Sequence, residues 1–206
     1  MYTAELKQRA RAQLGGRIFG ETWLIALLVH LLYTAVLSGV GTIAAGIGSV
    51  IVSGPMSYGL AYMFSRQART GAPLNIADLF RGFTDDFVQT FLIGLMSGLF
   101  TALWSLLFVI PGIVKAYSYA LVYFVKADNP SYGWRECLRE STALMRGNRM
   151  RLFMLDLSFI GWYFVGALCL GVGTLWVAPY HFAAKTHFYE SLKWGREYSG
   201  PEYPAY

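Results

Sequence analysis

Charged residues are scarce in this chain: of 206 residues, 14% are Asp, Glu, Lys or Arg, against about 25% in average soluble domains. Cysteine is scarcer still, with two residues at positions 137 and 169. That excludes a disulfide framework and any multi-cysteine zinc or redox motif. Seven prolines in 206 residues exclude a proline-rich linker. Catalytic signatures are also missing. No Gly-x-Ser-x-Gly, His-Glu-x-x-His, P-loop or dinucleotide fingerprint occurs, and the nearest approach, Gly94-Leu-Met-Ser-Gly98, has the wrong spacing. The chain is read as non-enzymatic, with no catalytic residue, cofactor or metal site expected.

What is present is apolar surface. Hydrophobic residues make up 55% of the chain and mean hydropathy is +0.42. No charged residue occurs over 22–65, 87–114 or 157–184. Charge-free apolar runs beyond ~18 residues indicate membrane spans. The first run is long enough for two crossings, with Gly39, Gly41, Gly46 and Gly48 supplying a turn. The second continues past Lys115 and is broken by Pro111-Gly112; the third starts at Leu152, crosses Asp156 and is broken by Gly171-Val172-Gly173. The expected fold is an all-α polytopic membrane bundle. Its three helical hairpins lie at 22–65, 87–127 and 152–190, with six spans near 22–40, 43–65, 87–109, 111–127, 152–169 and 173–190.

Sixteen of the seventeen Lys and Arg fall in 1–21, 66–86, 126–151 and 185–206, the segments between and around the hairpins. Basic residues accumulate on the cytoplasmic side, so both termini are expected there. The net charge of +5 then fits the anionic lipids of the inner leaflet and calls for no nucleic acid. A cleavable signal is not expected, since about twenty polar and charged residues precede the first span. Cys137 and Cys169 fall on opposite sides of the membrane in this scheme, which excludes a bond between them.

Two cytoplasmic helices are expected. Residues 3–14 place Leu6, Ala10 and Leu14 on one face beside Lys7, Arg9 and Arg11, with Thr3 as N-cap and Gly15-Gly16 as terminator. Such a helix suits the headgroup region or serves only as an orienting basic leader. Residues 129–147 place Trp134, Cys137, Leu138, Ser141, Leu144 and Met145 on one stripe, opened by Asn129-Pro130 and closed by Gly147. That stripe docks on the bundle's own end or on lipid; a groove for a partner is the alternative. The acids Asp78, Asp85 and Asp86 carry no calcium-loop spacing and are read as a solvated connection, with Asp85 or Asp86 capping the third span.

Ionisable side chains inside spans face one another or a cavity, which singles out His30, Lys115, Asp156 and His181. Asp156 and His181 lie at matched depths of ~7 and ~6 Å on the two legs of one hairpin, at 1.5 Å per helical residue, and Asp156 is expected to meet His181 or a neighbouring cation of the cytoplasmic end. Lys115, Tyr119, Tyr123 and Lys126 are spaced i, i+4. Lys115 either snorkels to the outer interface or, with the tyrosines, lines a hydrated pocket for an anionic ligand. Gly94 and Gly98 form a close-packing pattern, within the chain or, alternatively, in a dimer. Two functional classes follow: a membrane scaffold or accessory subunit partnered by itself or another membrane protein, and a transporter or lipid-handling protein with a polar cavity on the fourth span.

The stretches WSLLFVIPGIVKAYSYALVYFVKADNP (104–130), ESTALMRGNRMRLFMLDLSFIGW (140–162) and LGVGTLWVAPY (170–180) resemble the domain of unknown function 975 family. LKQRARAQLGG near the start and Asp78-Leu79-Phe80-Arg81-Gly82-Phe83 resemble it too, so the similarity extends over nearly the whole chain. The resemblance implies a multi-pass protein of the bacterial cytoplasmic membrane and brings no activity. It is distantly similar to the membrane domains of some glycerophosphodiester phosphodiesterases, which implies lipid handling by analogy alone.

Overall fold

A hydrocarbon environment leaves backbone polar groups no partner except one another, which favours helices throughout a chain this apolar. The computed structural model describes residues 2–16, 20–43, 47–168 and 172–198, and among them there is no strand. In order the helices are α1 (Tyr2–Gln13), α2 (Glu21–Ile43) and α3 (Ile47–Thr70), then a 3-10 turn (Ile76–Phe80) leading into the single turn α4 (Arg81–Thr84). They continue with α5 (Phe87–Leu107), α6 (Val109–Ser118), α7 (Val122–Asp128), α8 (Trp134–Leu144), α9 (Arg149–Leu168) and α10 (Val172–Tyr198). Helices α2 and α3, α5 and α6, and α9 and α10 pack as neighbours, the three expected hairpins. Gly46, Gly171 and Cys169 lie outside the described residues.

Among the described residues three helices are long and apolar enough to cross a membrane: α2 over Glu21–Gly39, α5 over Phe87–Leu107 and α9 over Arg149–Leu168. The expected count of six is not supported. Helices α3 and α10 have the length, 24 and 27 residues. Serines, tyrosines, histidines and charged residues, however, interrupt their apolar runs. The expected fourth span, 111–127, is broken at Tyr119–Leu121 into helices of ten and seven residues, only ~15 and ~10 Å long. The break is satisfied from outside the helix. The hydroxyl of Ser141 on α8 donates to the Ser118 carbonyl at 2.8 Å, and Tyr119 N–H reaches Lys115 O at 3.1 Å.

The three apolar helices form the outside. Only 22%, 11% and 22% of their spanning windows are buried, and Leu106, Ile110 and Leu168 at the hairpin ends are 86%, 76% and 70% exposed. The inside is built from α3, α7 and α10. Met56, Leu60, Met63 and Phe64 meet Val122, Phe124 and Val125, and Ala183, Ala184 and Phe188. Phe182 lies 5.1 Å from Phe64 and 5.6 Å from Phe124, ring centre to ring centre. Close approach of backbones makes this possible. A Cβ on Gly59 would strike the Leu79 carbonyl, and one on Gly82 the Pro55 carbonyl.

Both amphipathic helices turn their apolar faces to the protein. Leu6, Ala10 and Leu14 of α1 are buried against α10 and α9, so α1 is not a leader lying free on the headgroups. The helix begins at Tyr2, which puts Thr3 inside it, and Gly15 and Gly16 end it at φ 87° and 70°. Cys137, Leu138, Ser141, Leu144 and Met145 are buried as expected, against α5 and α7. The helix itself starts at Trp134 rather than near Asn129. Asn129 instead ends α7, and Glu136 accepts from Gly133 N–H at 2.6 Å to open α8. Asp86 caps α5, accepting from Gln89 N–H at 3.3 Å.

Candidate functional site

The polar residues of the bundle gather in two clusters. One joins α6, α9 and α10. His181 Nε2 lies 2.8 Å from Asp156 Oδ1, the pairing expected from their matched depths. Tyr117 on α6 donates to Asp156 Oδ2 at 2.9 Å, and Tyr163 Oη lies 3.2 Å from His181 Nδ1. An ionised carboxylate can only accept. With neutral imidazole, Nε2 therefore carries the proton and Nδ1 accepts from Tyr163. Phe159 stacks on His181, 4.6 Å between ring centres. Lys7 of α1 lies 4.4 Å from the Phe159 ring centre and donates to the Ser158 carbonyl at 2.8 Å. Burial lowers the Lys7 ammonium below its ordinary value. Lys185 adds a positive charge near Asp156. The arrangement can clamp three helices together, and its carboxylate, imidazole and phenols can also hold and pass a proton.

The second cluster sits where α3, α7 and α10 end. Asp128, 3% exposed at its side chain, pairs with Arg69 and with Lys193, the latter at 2.9 Å, and accepts from Tyr189 at 2.7 Å. Arg69 also pairs with Glu190 at 2.7 Å. Burial works against the Arg69 charge, but Glu190 and Asp128 together hold the guanidinium protonated above its usual range. Beside it Lys126 is buried with three acceptors: Asp86 Oδ2 at 2.9 Å, Pro130 O at 2.8 Å and Tyr132 O at 2.9 Å. Three donors meeting three acceptors is how a buried ammonium is tolerated. The same bonds close the 130–133 turn that displaces the start of α8. The acidic connection is paired as well, with Arg66–Asp78 and Arg81–Asp85 both at 3.0 Å. Among the described residues no three metal-ligating side chains converge.

The other residues singled out from sequence are scattered. His30 Nδ1 lies 3.2 Å from the Ala26 carbonyl, and the ring meets Phe64 and Phe182 edge-on, each at 5.9 Å. It is a core residue far from the Asp156 pair in the chain. Lys115, Tyr119 and Tyr123 do not form one stripe, because the break at Tyr119 changes the helix direction. The Lys115 ammonium lies 5.3 Å from the Trp104 ring centre and 5.9 Å from that of Tyr119. The small cleft beside Tyr119, about 210 Å³, is lined by Phe100, Trp134, Leu138 and their neighbours and does not include Lys115. Tyr123 bonds to Ser57, which is also 3.2 Å from Tyr33. Gly94 touches α3, a Cβ there falling 3.2 Å from Gly54 Cα, whereas Gly98 has open space around it.

Sequence reasoning missed Tyr117 and the Asp128 network, and it put Lys126 in a stripe with Lys115 rather than on Asp86 and the 130–132 carbonyls. Tyr117 escapes notice because a continuous fourth span would send it to another face than Lys115. The Asp128 network joins residues from three separate basic segments, and only their shared placement at hairpin ends hints at it.

Residues 106–195 match the model of a family described as Protein of unknown function (DUF975). The matched part, somewhat under half of the chain, runs from the end of α5 into α10 and contains Asp156, His181, Tyr117, Lys126 and Asp128. It supports the resemblance over the second half; the similarity noted in 1–86 lies outside it. No curated protein and no solved structure matches the chain.

Proposed function

We propose that this chain is a non-enzymatic membrane scaffold or accessory subunit, built as three hairpins with both termini on the cytoplasmic face. The observation that carries the reading is the assignment of its interior polar groups to one another. Asp156 holds α6 to α10, Lys126 holds α7 to the start of α5, and Asp128 holds α7 to α3 and α10. These bonds join the hairpins into one body while the apolar faces of α2, α5 and α9 are presented outward. The more polar α3, α7 and α10 lie behind them, sheltered from lipid. The alternative, transport through a polar cavity on the fourth span, draws no support from Lys115, whose ammonium lies against Trp104.

The test pairs assembly with flux. In particles carrying their native lipid the chain is expected at fixed stoichiometry with itself or another membrane protein. In sealed vesicles it should pass no more protons than protein-free controls. Asp156→Asn is expected to lower stability by about 1.5 kcal/mol, the scale of a hydrogen bond to a charged group. A lone monomer whose proton flux exceeds the control and falls with Asp156→Asn would overturn the scaffold reading in favour of transport.

A further inference from the structure

A cleft of about 210 Å³ opens between α1, α2, α9 and α10, walled by Trp23, Trp162, Trp176, Val177 and Tyr180, with Arg11 at its edge. Half of the chain's six tryptophans line this one cleft. It belongs to neither polar cluster. We propose that it binds one anionic phospholipid of the inner leaflet, the phosphate on Arg11 and the first methylenes of a chain along the tryptophans. The proposal rests on the membrane placement argued above.

Four observations specify this occupant. The three cations of α1 differ in what they do. Lys7 is held by the Ser158 carbonyl and the Phe159 ring and Arg9 by Glu5 at 2.7 Å, but Arg11 makes no ion pair among the described residues. Its charge reaches the Tyr180 hydroxyl at the cleft wall. A guanidinium fork matches phosphate geometry in a way a single ammonium does not. Second, Trp23 is only 5% exposed, yet its indole N–H has no acceptor among the described residues. A buried donor left unpaired costs free energy, which an acceptor in the cleft would recover after a small side-chain adjustment.

Third, the cleft borders an exposed apolar surface. Trp162 is 57% exposed, and Ile160 and Phe164 on α9 and Leu24 and Leu28 on α2 are exposed as well. Trp162 lies eleven residues past Arg151, ~16 Å along the helix, while Trp23 is in the first turn of α2, so the cleft leads from headgroup level into the apolar layer. Tryptophan and tyrosine favour that boundary because each is apolar with one polar atom. Fourth, the volume falls below the ~300–1,000 Å³ of sites that engulf a small molecule. It suits the neck of a lipid whose remainder stays in the bilayer.

The test is tryptophan quenching in vesicles by phospholipid brominated on its acyl chains. A variant with Trp104, Trp134 and Trp194 changed to Phe keeps only the cleft tryptophans. Brominated phosphatidylglycerol and brominated phosphatidylcholine are compared at the same low fraction. A basic group at the surface favours anionic lipid by ~1 kcal/mol, about fivefold. We therefore expect a roughly fivefold lower half-quenching fraction for phosphatidylglycerol. The preference should vanish in Arg11→Ala, persist in Arg11→Lys at reduced strength, and weaken in Trp23→Phe. Equal quenching by both lipids, unchanged by Arg11→Ala, overturns the lipid site and leaves the membrane reading standing. Absence of quenching by either lipid overturns the membrane reading and the site with it. The same comparison on the unmodified chain with Arg11→Ala alone guards against misfolding of the triple variant.

Discussion

Each hairpin has two unlike legs. The first legs, α2, α5 and α9, are apolar and mostly uncovered. The second legs, α3, α6–α7 and α10, hold serine, tyrosine, histidine and charge; α3, α7 and α10 form the interior, while the apolar side chains of α6 stay exposed. In water the arrangement would be reversed, since an apolar surface this extensive drives association. The contrast teaches that hydropathy in this chain marks what is left uncovered, the pattern expected of helices that face lipid. The core is held by aromatic packing, close backbone contacts and paired charges, because lipid offers helices no hydrophobic reason to associate.

The largest effect should come from cutting the same kind of side chain on the two kinds of leg. Phe64→Ala on α3 removes a fully buried ring and is expected to cost about 4 kcal/mol, whereas Leu106→Ala at the exposed end of α5 should change stability by no more than about 0.5 kcal/mol. Reversible unfolding in mixed micelles measures both, and similar costs would erase the distinction between legs. Next comes Lys126→Met, which keeps the volume but strands Asp86 and the carbonyls of Pro130 and Tyr132. Because Asp86 is itself partly exposed and can turn to water, losing the three bonds should cost about 2 kcal/mol rather than the larger penalty of a buried pair. Protease susceptibility of the 128–133 turn should rise in step.

Glycines sharpen the comparison at a smaller scale. Gly59→Ala on α3 places a methyl group against the Leu79 backbone and should cost about 2 kcal/mol. Gly161→Ala on α9 meets open space and should raise stability by up to about 1 kcal/mol. The smallest effect concerns α8. Burial pushes the Cys137 thiol up to about 11, with the Lys126 charge acting the other way. At pH 8 only about one thiol in a thousand is then ionised, so alkylation should be slow until the protein unfolds. The folded thiol keeps its proton where the unfolded one, near 8.5, has lost it. Its stabilising contribution is therefore complete below pH ~8.5 and lost as pH rises toward about 11. Cys137→Ala should flatten that part of the stability profile, and an unchanged profile would place the thiol in contact with solvent.

Helix boundaries were legible wherever charge ended an apolar run, as at Glu21 and Phe87, although α9 starts at Arg149, three residues before the expected Leu152. The pairing of Asp156 with His181 followed from helical rise alone. The face of α8 could be read from its period, but its start could not, because Lys126 closes the preceding turn through contacts that no local pattern encodes. The fourth span failed for a related reason. A serine on α8 satisfies the carbonyl freed at Ser118, and periodicity within 111–127 carries no trace of it. The Asp128 network is likewise a property of assembled hairpins, visible only once Arg69, Glu190 and Lys193 are brought to the same end.

The central claim is an inside-out bundle whose hairpins all open to one side, and single-cysteine labelling tests it most directly. With Cys137 and Cys169 replaced by serine, cysteine is placed in turn at exposed Arg9, Gly71, Arg146, Trp194 and Phe108. In intact cells an impermeant maleimide should label only position 108, and permeabilisation should expose the other four. Labelling of any of those four from outside, or failure to label 108, would contradict the three-hairpin arrangement.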